Sequence, residues 1–462
     1  MGAAVKIIEE NSLQVLQDGY AFNVRLNWYR SLPVSSVEKL AITIDGEPVP
    51  AENIRFEINN RQFRLEELSD QVEEFWFVQD SARLHILQAG KVAVGGTYTI
   101  YTEIALRFPY IAIGPGRFLT NTSRCTATQV AQSGYKGPIL GVTLFSLTNE
   151  WQQRLYDLDG MIAKVVELGL GPGLEVVGFQ TFRTYPSVSD EEAYHFRRLV
   201  EKYNLIPTCL GANMDNGRRL GRLMSEDEIY SYVERQLVSA KKLGFPLMRV
   251  PPAVGSLSLE KILPLAEKYK VILAVELHSP LSIYHPEVIH LREMFDRLQS
   301  PYLGFIPDFS TTMTSVPEGY WNNLRAAGAP EGLIDAAKAI WITDDPIPAK
   351  FGALAEACKQ HAANPMVSGM INNVMTMFGH AAVDTWREIL PYTRHVHGKY
   401  YQVTAEGVEP SIPYPALMKL LKEEGYQGTI SAEWEGQAFT EEPIGFQQVA
   451  AWNAMCKRLL EA

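Results

Sequence analysis

The chain has 462 residues, 46 % of them apolar and 10 % aromatic, and carries 42 Lys plus Arg against 53 Asp plus Glu, a formal net charge of −11. At roughly 150 residues per domain that is enough for two or three cores, and so apolar a composition excludes a disordered chain. The acidic balance argues against a nucleic-acid partner, which calls for a basic surface. No apolar run nears the ~18 residues of a bilayer-spanning helix, and Met1–Asn11 lacks the charged-then-apolar layout of a signal peptide, so a soluble, cytoplasmic protein is expected. Cys125, Cys209, Cys358 and Cys456 are far apart with no C-x-x-C pair, which gives neither a disulfide framework nor a thiolate zinc site.

Residues 1–115 read as a small β-sandwich. Segments rich in β-branched or aromatic residues (22–28, 39–44, 63–65, 75–78, 84–87, 97–108) alternate with turn chemistry such as Asp45-Gly46 and Gly95-Gly96. Residues 116–137, with Asn121-Thr122-Ser123 and Ser133-Gly134, turn polar and read as a linker. From residue 138 to 462 short apolar runs alternate with helical segments, the pattern of β/α units around a parallel sheet. Eight strands are expected at 139–145, 174–180, 205–210, 247–251, 271–276, 303–308, 395–403 and 429–433. Ser189-x-x-Glu192 and Ser225-x-x-Glu228 mark helix starts by the capping-box pattern, and Gly244 ends the second helix. Eight such units over about 325 residues predict a (β/α)8 TIM barrel with a helical insertion at about 314–390, including 351–361 and 372–390.

Active residues of a barrel lie at the C-terminal ends of its strands. Four consecutive ends here bear ligand-type side chains: Glu276 and His278, Asp308, the His395-Val396-His397-Gly398-Lys399 run, and Glu433 with Glu435. Alternation places Glu276 with His278, the residues His395, His397 and Lys399 together, and Glu433 with Glu435. Burying so many carboxylates in one mouth is costly without a cation, because repulsion and desolvation both oppose ionisation. Three carboxylates and one imidazole make an oxygen-rich set suited to octahedral Mn²⁺ or Mg²⁺ more than to tetrahedral zinc. His395 lies deeper than His397 and is expected to be structural. Lys399 and Glu435 either support the ligands, meet substrate or form an ion pair, and His380, in the insertion, is placed to reach the mouth. His85, His195, His285, His290 and His361 show no ligand spacing, and Asp344-Asp345-Pro346 reads as a solvated turn.

At these residues the chain resembles the xylose isomerase-like barrels over about 139–460: Ile262-Leu263-Pro264-Leu265-Ala266-Glu267 leads into Val275-Glu276-Leu277-His278, followed by Asp308, His397-Gly398-Lys399 and Glu433-Trp434-Glu435. The resemblance implies Glu276, Asp308, His397 and Glu433 as metal ligands, with Mn²⁺ the first expectation. Where ketose 3-epimerases resemble Asp-x-x-His, this chain has Thr311, and where they place an Arg six residues after the metal His it has Val403. The run Gly19-Tyr20-Ala21-Phe22-Asn23-Val24-Arg25-Leu26-Asn27-Trp28-Tyr29-Arg30-Ser31-Leu32-Pro33, with Ile44-Asp45-Gly46-Glu47 and Phe75-Trp76-Phe77, looks like the small β subunit of C-glycoside deglycosidases, whose large subunit is such a barrel. Here the two are fused, β part first.

The resemblance implies a lyase that cleaves the glycosidic bond of 3-oxo-glycosides, C-linked or O-linked, by C2 deprotonation and β-elimination. That chemistry suits a C–C bond, which offers no bridging oxygen to protonate. His278 is the candidate base, or the acid that protonates the aglycone, or a residue that orients Glu276. A metal-dependent sugar isomerase or epimerase, and a barrel that binds sugar without catalysis, are the alternatives. The expected partner is a small-molecule 3-oxo-glycoside with an aromatic aglycone, for which Trp28, Tyr29, Phe75, Trp76 and Phe77 offer stacking surfaces, and the assembly is expected to be a homo-oligomer.

Overall fold

The computed structural model describes residues 6–16, 18–59, 61–134, 137–251, 254–279 and 281–461. The chain divides into two compact units, residues 1–136 and 137–462. Among the described residues no helix is long and apolar enough to cross a membrane.

The first unit is a sandwich. A six-stranded sheet runs in the spatial order Gln132–Ser133, Gln14–Val15, Tyr20–Arg25, Ser81–Ile86, Ile54–Ile58, Arg61–Arg64, and a four-stranded sheet in the order Arg117–Val130, Thr97–Gly114, Val37–Ile44, Glu47–Pro48. Alternation sends one face of each strand inward: Ala82, Leu84 and Ile86 from one sheet and Leu40, Ile42 and Ile44 from the other are buried, and the two faces merge into one core with Phe22, Phe56 and Ile104. The segment expected as a linker is a correction. Residues 117–130 are a strand that pairs along the 97–114 strand in a long antiparallel hairpin. Its Thr-rich, polar sequence resembles a loop because this edge strand is exposed on nearly its whole length, so no apolar face marks it. Trp76 is not a stacking surface either. It is 1 % exposed, packs edge-on against Phe56 at 5.3 Å, and its indole N–H donates to the Asp80 carbonyl. Trp28 lies on Phe108 with ring centroids 3.7 Å apart, whereas Tyr29, Phe75 and Phe77 are exposed.

The second unit contains all eight expected strands: β1 Ile139–Thr143, β2 Gly173–Val177, β3 Ile206–Gly211, β4 Leu247–Val250, β5 Ile272–Leu277, β6 Leu303–Pro307, β7 Val396–Tyr400 and β8 Thr429–Trp434. They form one parallel sheet in the order β6-β5-β4-β3-β2-β1-β8-β7. β6 and β7 share no ladder; two parallel bridges, Phe305 to Thr393 and Asp308 to His397, close the barrel there. The strands are continuous apolar runs because helices cover the outside and side chains fill the inside. Gly398 marks a close approach: a Cβ at this position would come within 2.7 Å of Trp452.

The helix Glu226–Leu243 begins with the complete capping box of Ser225 and Glu228 and stops at Gly244, whose φ is 90°. Ser189 caps Asp190–Lys202 as expected, but Glu192 turns away to accept the backbone N–H groups of Arg183 and Thr184, tying down the preceding loop. The insertion contains four helices, Glu318–Ala326, Glu331–Trp341, Ile347–Gln360 and Pro365–Met377. Helix does not continue through 378–382 as the sequence suggested. There the chain runs beside the exit of β6, with Gly379 N–H donating to Ser310 O and Ala381 N–H to Thr311 O. Only glycine fits at 379, since a Cβ would lie 2.8 Å from Thr311 Cα.

Candidate metal centre

Strand ends bring the four predicted donors together. Glu276 (β5), Asp308 (just past β6), His397 (β7) and Glu433 (β8) each offer one ligand atom, all within 4.8 Å of one another, a cluster that could hold a metal ion. Asp308 and His397 are fully buried and face each other across the bridge that closes the barrel. Glu276 keeps a narrow opening to solvent, its side chain 14 % exposed. His397 Nδ1 lies 2.7 Å from Glu276 Oε1 and 3.4 Å from Glu433 Oε2. Lys399 Nζ lies 2.9 Å from Asp308 Oδ2, 3.0 Å from Glu435 Oε2 and 3.5 Å from Glu433 Oε2.

The donor set fits a divalent cation on a structural ground. Asp308 Oδ2 and Glu433 Oε2 are buried, and although Lys399 is near both, neither receives a well-directed hydrogen bond. Two buried carboxylate oxygens left in this way call for a positive partner.

Burial and neighbours set the charges. Burial works against ionisation of Glu276, but Arg249, 3.8 Å away, together with His397, holds its carboxyl well below the usual range. For Asp308 burial is likewise outweighed, chiefly by Lys399. For Glu433 burial wins over His397 and Lys399, and its carboxyl is pushed up to about 8. Burial would lower His397, yet Glu433, Glu175 and Glu276 raise it well above its ordinary value, and the surrounding acids do the same for Lys399.

Glu175 and Arg249 belong to this centre and were not anticipated. Glu175, in the middle of β2, accepts from both deep histidines, His395 Nε2 at 2.8 Å and His397 Nε2 at 3.1 Å. A carboxylate only accepts, so with Glu175 at Nε2 and Glu276 at Nδ1 the ring donates on both sides here, and Nδ1 is the nitrogen turned toward the other ligand-type residues. Burial would raise the Glu175 carboxyl, but the two imidazoles hold it well below the usual range, and His395 is lowered by its own burial; Glu175, His395 and His397 form a second, fully buried group of ligand-type side chains. The available signal was a lone charge inside a buried strand, Gly-Leu-Glu-Val-Val and Leu-Met-Arg-Val, which requires a partner.

His278 is half-buried, and its Nδ1 lies 2.7 Å from the Ser279 carbonyl. The carbonyl accepts, so Nδ1 holds the hydrogen, and in the neutral ring Nε2 is the bare, basic nitrogen. Glu435 is an ion-pair partner of Lys399. His380 is not brought into the cluster. It is exposed, its Nδ1 bonds the Met313 carbonyl and its ring lies 5.1 Å from Trp341. Asp344 and Asp345 are exposed, as a solvated turn requires.

Residues 4–110 match the family model of the C-glycoside deglycosidase beta subunit, and residues 162–455 that of the xylose isomerase-like TIM barrel. A 3'-dehydrocarminate deglycosidase alpha subunit from a Microbacterium species is 37 % identical over 331 residues, 70 % of this chain and 95 % of the relative. The chain belongs to the C-glycoside deglycosidase family. A C-glycoside deglycosidase alpha subunit from Arthrobacter globiformis is 40 % identical over 65 % of this chain and 84 % of its own length. The Microbacterium 3'-dehydrocarminate deglycosidase beta subunit is 32 % identical over 23 % of this chain and 80 % of its own length. Parts that are separate subunits in these deglycosidases are fused in one chain here.

Proposed function

We propose that this deglycosidase is a metal-dependent lyase that cleaves 3-oxo-glycosides by removing the C2 proton and expelling the C1 substituent. The observation that carries this reading is the cluster of three carboxylates and one imidazole, two of its buried oxygens lacking hydrogen bonds, with His278 just past the end of β5, two residues beyond Glu276. A relative named for a 3'-dehydro substrate supports the oxidised sugar.

The C3 ketone makes C2–H acidic. His278 Nε2 takes that proton, and the electron pair moves from C2–H to form the C1=C2 bond as the bond from C1 to the aglycone breaks. The departing aglycone atom takes up a proton, so the products are a 1,2-unsaturated 3-oxo sugar and the free aglycone, with no net oxidation. The Ser279 carbonyl holds the ring of His278 in the reactive tautomer. Glu276, Asp308, His397 and Glu433 would hold a divalent ion, Mn²⁺ or Mg²⁺ by the hardness of the set, which when bound supplies Lewis-acid stabilisation of negative charge developing on the sugar oxygens.

Mass analysis of products tests the reaction. A 3-oxo-C-glucoside should yield free aglycone and the unsaturated sugar, while the unoxidised glucoside stays intact. Release from the unoxidised glucoside at a comparable rate, or an isomerised glycoside with its aglycone still attached, would overturn the proposal.

Glu175→Gln keeps the shape of the side chain but weakens its hold on the two histidines. The expected result is a ~10–100-fold loss of metal affinity by titration calorimetry with the fold intact by circular dichroism. Unchanged affinity would mean that Glu175 only fills the barrel floor.

A further inference from the structure

Most of the side chains around the four donors are shut away from solvent. Val250, Val275, Leu277, Asp308, His397 and Lys399 are buried, whereas the side chains of Glu276 and Arg249 are 14 % and 17 % exposed and His278 is half-buried. Glu435 also reaches solvent, but its Oε2 is taken by Lys399. The three residues that keep access are neighbours. Arg249 pairs with Ala274 in the β4–β5 ladder, and its guanidinium reaches forward along β5 to Glu276, with His278 following two residues on.

The guanidinium is held but not satisfied. Its Nη1 donates to the Ala212 carbonyl at 3.3 Å, and its Nε is buried with no hydrogen-bond partner. Glu276 is the nearest anion, yet its Oε2 is 3.8 Å from Nε, beyond hydrogen-bond reach, and its Oε1 faces His397 at 2.7 Å. A buried arginine ordinarily meets a carboxylate through two parallel hydrogen bonds, and Arg249 has no such match among the described residues. A guanidinium presents five N–H donors in a rigid fork. Fixed at an opening with donors left over, it is arranged to meet an acceptor that enters from solvent.

We infer that Arg249 is a catalytic residue that donates a hydrogen bond to the C3 oxygen of the sugar and stabilises the charge that gathers there as C2–H breaks. The inference rests on the reaction proposed above. C2 is bonded to C3, so a sugar that presents its C2–H to His278 brings its ketone oxygen into the same opening. As C2–H breaks, its electron pair enters the C2–C3 bond, the π pair of the ketone moves onto oxygen, and the proton rests on His278 Nε2. Arg249 keeps its own protons throughout, so the step balances with no further reactant. A neutral ketone gains little from the guanidinium and the developing oxyanion gains much, so the contact lowers the barrier more than it tightens binding.

3-Oxo-1,5-anhydroglucitol isolates this step, because it carries hydrogen at C1 and has nothing to expel. Exchange of its C2–H for solvent deuterium, one C–H bond broken and one C–D bond made, is followed by NMR with the full-length protein saturated in Mn²⁺. Arg249→Ala should lower kcat for exchange ~10²–10³-fold and change KM by less than ~10-fold, and added guanidinium ion should restore part of the loss without accelerating the wild type. Arg249→Lys keeps a positive charge beside Glu276, which protects the fold and the metal if the alanine variant does not fold, yet it lacks the planar fork and should still lose ~10-fold or more in kcat. Calorimetric titration with Mn²⁺ reports separately on the charge that Arg249 sets at Glu276. Unchanged kcat at saturating Mn²⁺ in the folded variants, with or without a shift in metal affinity, would reduce Arg249 to that charge-balancing role and overturn the inference. A loss confined to KM would overturn it too. Absence of exchange in the wild-type protein would instead overturn the reaction.

Discussion

Replacing Glu433 with glutamine should remove bound metal and activity together. The substitution keeps the volume of a side chain that is 7 % exposed, so the barrel is not left with a hole. What disappears is an anionic donor whose Oε2 is buried without a hydrogen bond. Elemental analysis after dialysis should show a loss of affinity of roughly 100-fold or more, beyond the ~10–100-fold controlled by residues behind the ligands. The pH dependence follows in sign. With the Glu433 carboxyl pushed up to about 8 and His397 also raised, both groups hold protons at neutral pH. A metal needs the carboxylate and the bare Nδ1, so loading releases protons and affinity rises with pH until Glu433 is ionised. In Glu433→Gln the affinity that remains should rise less steeply. Full occupancy and unchanged turnover in the variant would show that the ion sits elsewhere.

His278→Ala should give the opposite dissociation, metal retained and chemistry lost. His278 is outside the four-donor cluster, and its ring bonds its neighbour's carbonyl, so truncation leaves the ligands in place. The loss of a positioned base costs typically ~10²–10⁴-fold in kcat. Deuterium exchange at C2 of the 3-oxo sugar should fall by the same factor, which locates the defect at proton removal. If exchange persists while aglycone release falls, His278 is the acid that protonates the leaving group. If neither changes and metal affinity drops, it orients Glu276.

Most of the barrel was legible because its signals are local. Buried parallel strands are apolar runs, and period-two alternation places Glu276, His397 and Glu433 on inward faces once the strand is found. Glu175 and Arg249 are not legible in the same way, because they lie within strands rather than at strand ends and their partners come from β7 and β5. The 117–130 strand was missed for the reverse reason. Its stability comes from pairing with 97–114, a relation between segments that a polar composition does not reveal.

The two-bridge closure between β6 and β7 has a consequence for how the site comes into being. Glu276 and Asp308 are made with the first six strands, while His397 and Glu433 arrive on β7 and β8, after the whole insertion. Loop-closure entropy makes the contacts across long segments, this bridge over the insertion and the β1–β8 ladder of Ile139 with Thr429, slow to form compared with the ladders between successive strands. The bridge between Asp308 and His397 is thus, with the β1–β8 ladder, one of the non-local contacts of the barrel, and all four donors converge only when it forms. Until β7 and β8 are in place only two of the four acidic and imidazole donors are present, so an ion that uses all four would be taken up only after the barrel has shut.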